Sequence, residues 1–170
     1  LRFLEIYYEK YDKKNLKSIS MIKNLKKLSA LSIYSLEAYP LFNLSPLKSL
    51  KFLKLNHISV SDFSRIINLP NLKRLSLSNC ELTSQNLQEL QKFSKLENLS
   101  LGFFEKIPSL DFSKLNLKVL RIYSKEKNIS LEALSQCKQL KKLILDIRQS
   151  HKTVFPNIKK LKNLEYLYIR

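Results

Sequence analysis

The chain has 170 residues, a net charge of +17 and one glycine, which suits a single domain with a sizeable core and excludes a glycine-rich phosphate-binding fold. No apolar run approaches the ~20 residues that cross a bilayer. The basic excess is even, +8 over residues 1–85 and +9 over residues 86–170, so no basic arm marks a nucleic-acid-binding appendage.

Leu1, Leu4 and Ile6 open a pattern, apolar-x-x-apolar-x-apolar, that recurs along the chain. It returns at Leu28/Leu31/Ile33, Leu50/Leu53/Leu55, Leu72/Leu75/Leu77 and Leu96/Leu99/Leu101. Leu117/Leu120/Ile122, Leu140/Leu143/Leu145 and Leu164/Leu167/Ile169 complete eight copies, with all 24 framework positions Leu or Ile. First-leucine spacings are 27, 22, 22, 24, 21, 23 and 24 residues. The last two apolar positions of each copy alternate, as a short strand with one buried face requires. One such strand cannot bury its leucines alone, so each copy must stack on the next.

Between strands the apolar spacing changes to three or four, which predicts α-helical or 3-10 returns. Leu16, Ile19, Ile22 and Leu25 show it first. Leu131, Leu134 and Cys137 repeat it, as do Phe155, Ile158 and Leu161. Ser61 and Ser130 read as N-caps, and Pro156 suits a first helical turn. "GFFEKIPSLDF" (102–112) and "YSKEKNIS" (123–130) break the register, and Phe103 and Phe104 read equally as core packing or as an exposed loop.

The whole chain resembles the leucine-rich-repeat superfamily, whose units follow L-x-x-L-x-L-x-x-N/C-x-L. Locally, residues 72–90 look most like the ribonuclease-inhibitor subtype, with Cys80 at the Asn/Cys position followed by Leu82 and Thr83. The other copies carry Glu9, Leu36, Ile58, Phe104, Lys125 and Arg148 there. The resemblance implies an α/β solenoid: a right-handed superhelix of about eight repeats, with a parallel concave β-sheet and helical or 3-10 convex returns. It also implies that the Cys80 side chain bonds the backbone of the turn leaving its strand. Residues 1–170 then form a single repeat domain, and the strands at both ends, without polar caps, make it an expected fragment of a longer chain.

Residues flanking the inward leucines face outward on the sheet. Seven of these 24 positions are Phe or Tyr: Phe3, Tyr7, Tyr34, Phe52, Tyr123, Tyr166 and Tyr168. With Lys54, Arg74 and Arg121 they form the expected partner-binding set, because aromatic residues and Arg anchor protein interfaces. The aromatic positions fall toward the two ends, and Ser76, Ser78, Ser100 and Gly102 form a smooth middle.

The expected function is a protein-interaction module binding a partner, one with an acidic surface, through the concave face. The alternatives are the recognition arm of a larger enzyme or receptor, of the ubiquitin-ligase receptor or bacterial effector kind, and a basic RNA- or ribonucleoprotein-associated component. Lysines elsewhere, including Lys10, Lys13, Lys14, Lys17, Lys23, Lys26, Lys27, Lys159, Lys160 and Lys162, read as a solvated outer face. Cys80 and Cys137 read as structural, too far apart in the stack to bridge. His57 and His151 sit just beyond their strands as surface histidines. No catalytic, cofactor or metal constellation is present, so neither an enzyme nor a cofactor is expected. Few cysteines and chance Asn-x-Ser triplets at Asn43, Asn98 and Asn128 point to the cytoplasm.

Overall fold

The computed structural model describes residues 1–9, 21–59, 63–80, 82–104, 112, 114–124, 128–147 and 152–170. Each of the eight framework copies contributes one strand to a single parallel sheet whose strand order is the chain order. The strands are β1 (Phe3–Tyr8), β2 (Ala30–Pro40), β3 (Phe52–Ser59), β4 (Arg74–Ser78), β5 (Asn98–Phe104), β6 (Val119–Ser124), β8 (Lys142–Asp146) and β10 (Tyr166–Ile169). A separate two-stranded pair, β7 (Asn128–Ser130) with β9 (Lys152–Val154), runs parallel in the returns.

A turn feeds six of the eight strands in the same way. The first framework leucine donates its N–H to an apolar residue three positions earlier: Leu28 to Leu25, Leu50 to Leu47, Leu72 to Leu69, Leu96 to Phe93, Leu140 to Cys137 and Leu164 to Leu161. The strand then locks onto the preceding coil through its opening amide, Phe52 to Ser29, Arg74 to Lys51, Asn98 to Lys73 and Val119 to Glu97. Asn71 and Asn163, just before their first leucines, add side-chain bonds to the carbonyls of Lys48 and Lys138 at 3.0 and 2.7 Å.

Alternation then puts the second and third framework residues inward. From the second copy to the seventh, every framework residue is buried, forming columns such as Leu31–Leu53–Leu75–Leu99–Leu120–Leu143. Each buried leucine contributes about 1.5–3 kcal/mol relative to exposure. The columns open at the edge: Leu167 and Ile169 of β10 are 42% and 44% exposed, whereas their partners Leu143 and Leu145 are fully buried.

The returns are short and mixed. The 3-10 turns are Met21–Asn24, Leu90–Lys92, Glu132–Gln136 and Ile158–Lys160; the α-helical segments are α1 (Ser64–Ile67) and α2 (Ser84–Glu89). Helix α2 starts with a reciprocal cap in which the Asn86 amide donates to Thr83 Oγ1 (3.1 Å) and the Thr83 amide to Asn86 Oδ1 (2.9 Å).

Three expectations change. Ser130 does not cap a helix: it ends β7, and the 3-10 turn that follows starts after Leu131 without a side-chain cap. Pro156 precedes the turn at Ile158 rather than lying in its first residue. His57 lies within β3, not beyond it, half-buried, with Nδ1 3.1 Å from the Ser35 carbonyl. The break after strand five is present as a register shift between Gly102 and Phe104, and a second one follows Tyr34 in β2. That shift pairs Ile58 with Tyr39 and leaves Leu36 exposed. The expectations for Lys10, Lys13, Lys14, Leu16, Lys17, Ile19, Ser61, Lys125, Arg148, His151 and the side chains of Phe103 and Phe104 lie outside the described residues.

Candidate functional site

The register converts the outward strand positions into three straight rows. The first runs Phe3, Ala30, Phe52, Arg74, Asn98, Val119, Lys142 and Tyr166. Glu5, Ser32, Lys54, Ser76, Ser100, Arg121, Ile144 and Tyr168 form the second. The third is Tyr7, Tyr34, Asn56, Ser78, Gly102, Tyr123 and Asp146. All ten residues expected to bind a partner stand in these rows, neighbours within a row being one strand spacing, ~4.8 Å, apart.

The rows bring some of those residues together. Tyr7 and Tyr34 stack with ring centroids 4.8 Å apart and planes 4° from parallel. Lys54 Nζ lies 4.9 Å from the centre of the Tyr34 ring, a cation–π contact. The Tyr7 hydroxyl donates to Glu5 Oε2 at 3.3 Å. Desolvation first, then the charges of Glu5 and Tyr34, push the Tyr7 phenol above its ordinary pKa, while Lys54 opposes the rise. At the opposite end Lys142 Nζ sits 4.2 Å above the Tyr166 ring.

Exposure divides the aromatic set. Phe3, Tyr7, Tyr166 and Tyr168 lie on the two outer strands and are exposed, whereas Tyr34, Phe52 and Tyr123 are half-buried among their neighbours.

The middle is not merely smooth. Phe52, Lys54, Arg74, Ser76, Asn98, Ser100 and Arg121 line a shallow concavity of about 300 Å³. Short serines make its floor and longer side chains its walls. Reading strands one at a time missed this grouping, which exists only across coils; the serine spacing was the available signal. Gly102 extends the flat region for a steric reason, since a Cβ there would approach Ser78 Oγ at 3.0 Å.

The turn leaving the sheet is built by Asn79 and Cys80. Asn79 has φ 50° and donates from Nδ2 to Asn56 Oδ1 at 3.1 Å. Cys80 is buried, with Sγ 3.3 Å from the Ser78 carbonyl and 3.6 Å from that of Leu55, the backbone role that the repeat consensus implies for it. Burial pushes its thiol up to about 11. Cys137 is likewise buried, its Sγ 3.9 Å from the Phe112 carbonyl. Among the described residues no group of three or more His, Cys, Asp or Glu is arranged to hold a metal. No helix among them is long and apolar enough to cross a membrane.

Solved structures share this architecture. An internalin (InlF) of Listeria monocytogenes is 25% identical, with a TM-score of 0.55 over 89% of this chain and 44% of that one. The fold is that of the leucine-rich-repeat superfamily. A second internalin of Listeria monocytogenes, internalin C2, is 21% identical with a TM-score of 0.55, covering 87% of this repeat chain and 64% of that one. A leucine-rich-repeat protein of Leptospira interrogans is 22% identical with a TM-score of 0.52, covering 100% of this chain and 55% of that one. The chain thus spans 44–64% of the length of these proteins. No protein-family model and no curated protein matches the chain.

Proposed function

We propose that this solenoid is a non-enzymatic protein-interaction module whose partner docks on the three outward rows. The observation that carries the reading is the in-register placement of seven aromatic side chains, together with Lys54, Arg74 and Arg121, on one rigid sheet. A ladder bonded along its whole width is already ordered, so docking costs little conformational entropy. Aromatic groups supply the buried area and the arginines orient an acidic partner. The ribonuclease-inhibitor likeness of residues 72–90 is supported by helix α2 following Cys80, and an intracellular location by two buried cysteines that do not bridge each other.

The test is affinity purification of the protein from its native cells beside a Tyr34→Ala/Tyr123→Ala double variant. The variant is expected to keep its circular dichroism spectrum and lose the co-eluting protein. Unchanged recovery of that protein would remove the outward face as the docking surface. Co-elution of RNA that falls steeply with salt would favour a ribonucleoprotein role instead.

A further inference from the structure

The concavity at the centre of the sheet has a chemistry that the aromatic ends lack. Its floor is Ser76 and Ser100, adjacent in the second row. In the same row Lys54 stands one strand to one side and Arg121 one strand to the other, with Arg74 in the first row beside Ser76. Lys54 and Arg121 are three strand steps apart, a Cα span of roughly 14 Å.

Three cations therefore surround a floor of hydroxyl groups, with the Asn98 amide alongside and no acidic residue in the lining. Several acidic groups around it are already engaged. Glu97 pairs with Lys118 at 3.2 Å, Asp146 with Arg170 at 3.1 Å and Glu165 with Lys141 at 2.7 Å. Glu5 accepts from Tyr7 two strands beyond Lys54. Arg74 and Arg121 have no ion-pair partner among the described residues, and no side-chain hydrogen bond there engages Ser76, Asn98 or Ser100. The hollow thus combines uncompensated positive charge with unused donors, the complement of an anion with several acceptor lone pairs. Its volume equals that of roughly ten water molecules, room enough for a carboxylate side chain.

We propose that this hollow is a carboxylate seat: an Asp or Glu side chain from an acidic segment of the protein partner enters between Lys54 and Arg121 and accepts hydrogen bonds from Arg74, Arg121 and the serine hydroxyls. The inference rests on docking at the outward face and names the chemistry of what docks there. Tyr34 holds Lys54 by its cation–π contact, so one wall is preorganised before the partner arrives.

The experiment uses the 170-residue chain, a fluorescently labelled polyglutamate peptide and fluorescence anisotropy, with polyglutamine and a single-stranded RNA oligonucleotide in parallel. Polyglutamate is expected to bind and polyglutamine to fail. An Arg74→Gln/Arg121→Gln variant should weaken polyglutamate at least about tenfold. A Ser76→Leu/Ser100→Leu variant keeps every charge but fills the floor, and should lose binding to a similar degree. Lys159→Gln/Lys160→Gln removes the same charge on the returns and should bind as the parent does. Each variant is accepted only if its circular dichroism spectrum and melting temperature match the parent. The proposal fails if the serine variant binds normally, if the Lys159/Lys160 variant weakens equally, or if RNA binds more tightly and displaces the peptide. If the hollow variants keep the natural partner that the Tyr34/Tyr123 variant loses, the carboxylate seat falls and docking on the face stands. Retention of that partner by all of these variants removes both.

Discussion

The rings of Tyr7 and Tyr34, on adjacent strands, lie within 4° of parallel with their centroids 4.8 Å apart. That separation matches the strand spacing itself. The backbone ladder therefore fixes the stack, and desolvation followed by the charge of the Glu5 carboxylate raises the Tyr7 phenol. A Glu5→Gln variant should titrate Tyr7 closer to its ordinary value, because a neighbouring negative charge no longer disfavours phenolate. Lys54→Gln should move it further up. Near-ultraviolet difference titration of each variant against the parent reads the change.

The leucine columns set the stability. Leu55→Ala removes a fully buried side chain between two coils and should cost about 2–5 kcal/mol in urea denaturation. The edge residue Leu167, 42% exposed, should cost about 1 kcal/mol or less on the same change. Equal losses at the two sites would contradict the stacked-coil account of the core.

Asn79 holds a left-handed backbone at φ 50° while bonding Asn56. Asn79→Val places a β-branched residue there and should destabilise the chain by roughly 2 kcal/mol. Asn79→Gly keeps the backbone relaxed and loses only the side-chain bond, so it should cost about half as much. Thermal unfolding of the two variants distinguishes backbone strain from hydrogen bonding.

The buried Cys80 thiol gives the fold an alkaline liability. Its pKa is about 11 in the folded chain against 9.0 for the free group, so the unfolded state loses its proton first as pH rises. Stability from this group is whole below pH 9 and is lost progressively up to 11. Over that window the parent should lose about 2 kcal/mol more than a Cys80→Ala variant. Parallel denaturation curves across the range would overturn this assignment.

The architecture was legible because each copy repeats a strict apolar spacing that only stacked strands satisfy; Leu53, Leu75 and Leu99 announce both their strand and the direction of their neighbours. What escaped the sequence is what forms between coils. The β7–β9 pair joins residues more than twenty positions apart that carry no alternating pattern, and it takes Ser130 as a strand end although its side chain suits a cap. His57 looked external because nothing in its own coil marks Ser35 as a partner. The hollow was hidden for the same reason: Lys54, Arg74 and Arg121 were expected on the outward face one strand at a time, and they converge only when Ser76 and Ser100 are set side by side.

Unbroken alignment from Ser76 to Arg121 makes the sheet a tape with fixed gradations. Variation in coil length is absorbed in the returns, so the outward groups can be displaced only in whole strand steps of ~4.8 Å. Excising the coil that begins at Leu96, a unit of 21 residues, would bring Arg121 from two steps beyond Ser76 to one. A solenoid of this kind retunes the distance between its contact groups by gaining or losing entire coils, while each remaining side chain keeps its aim.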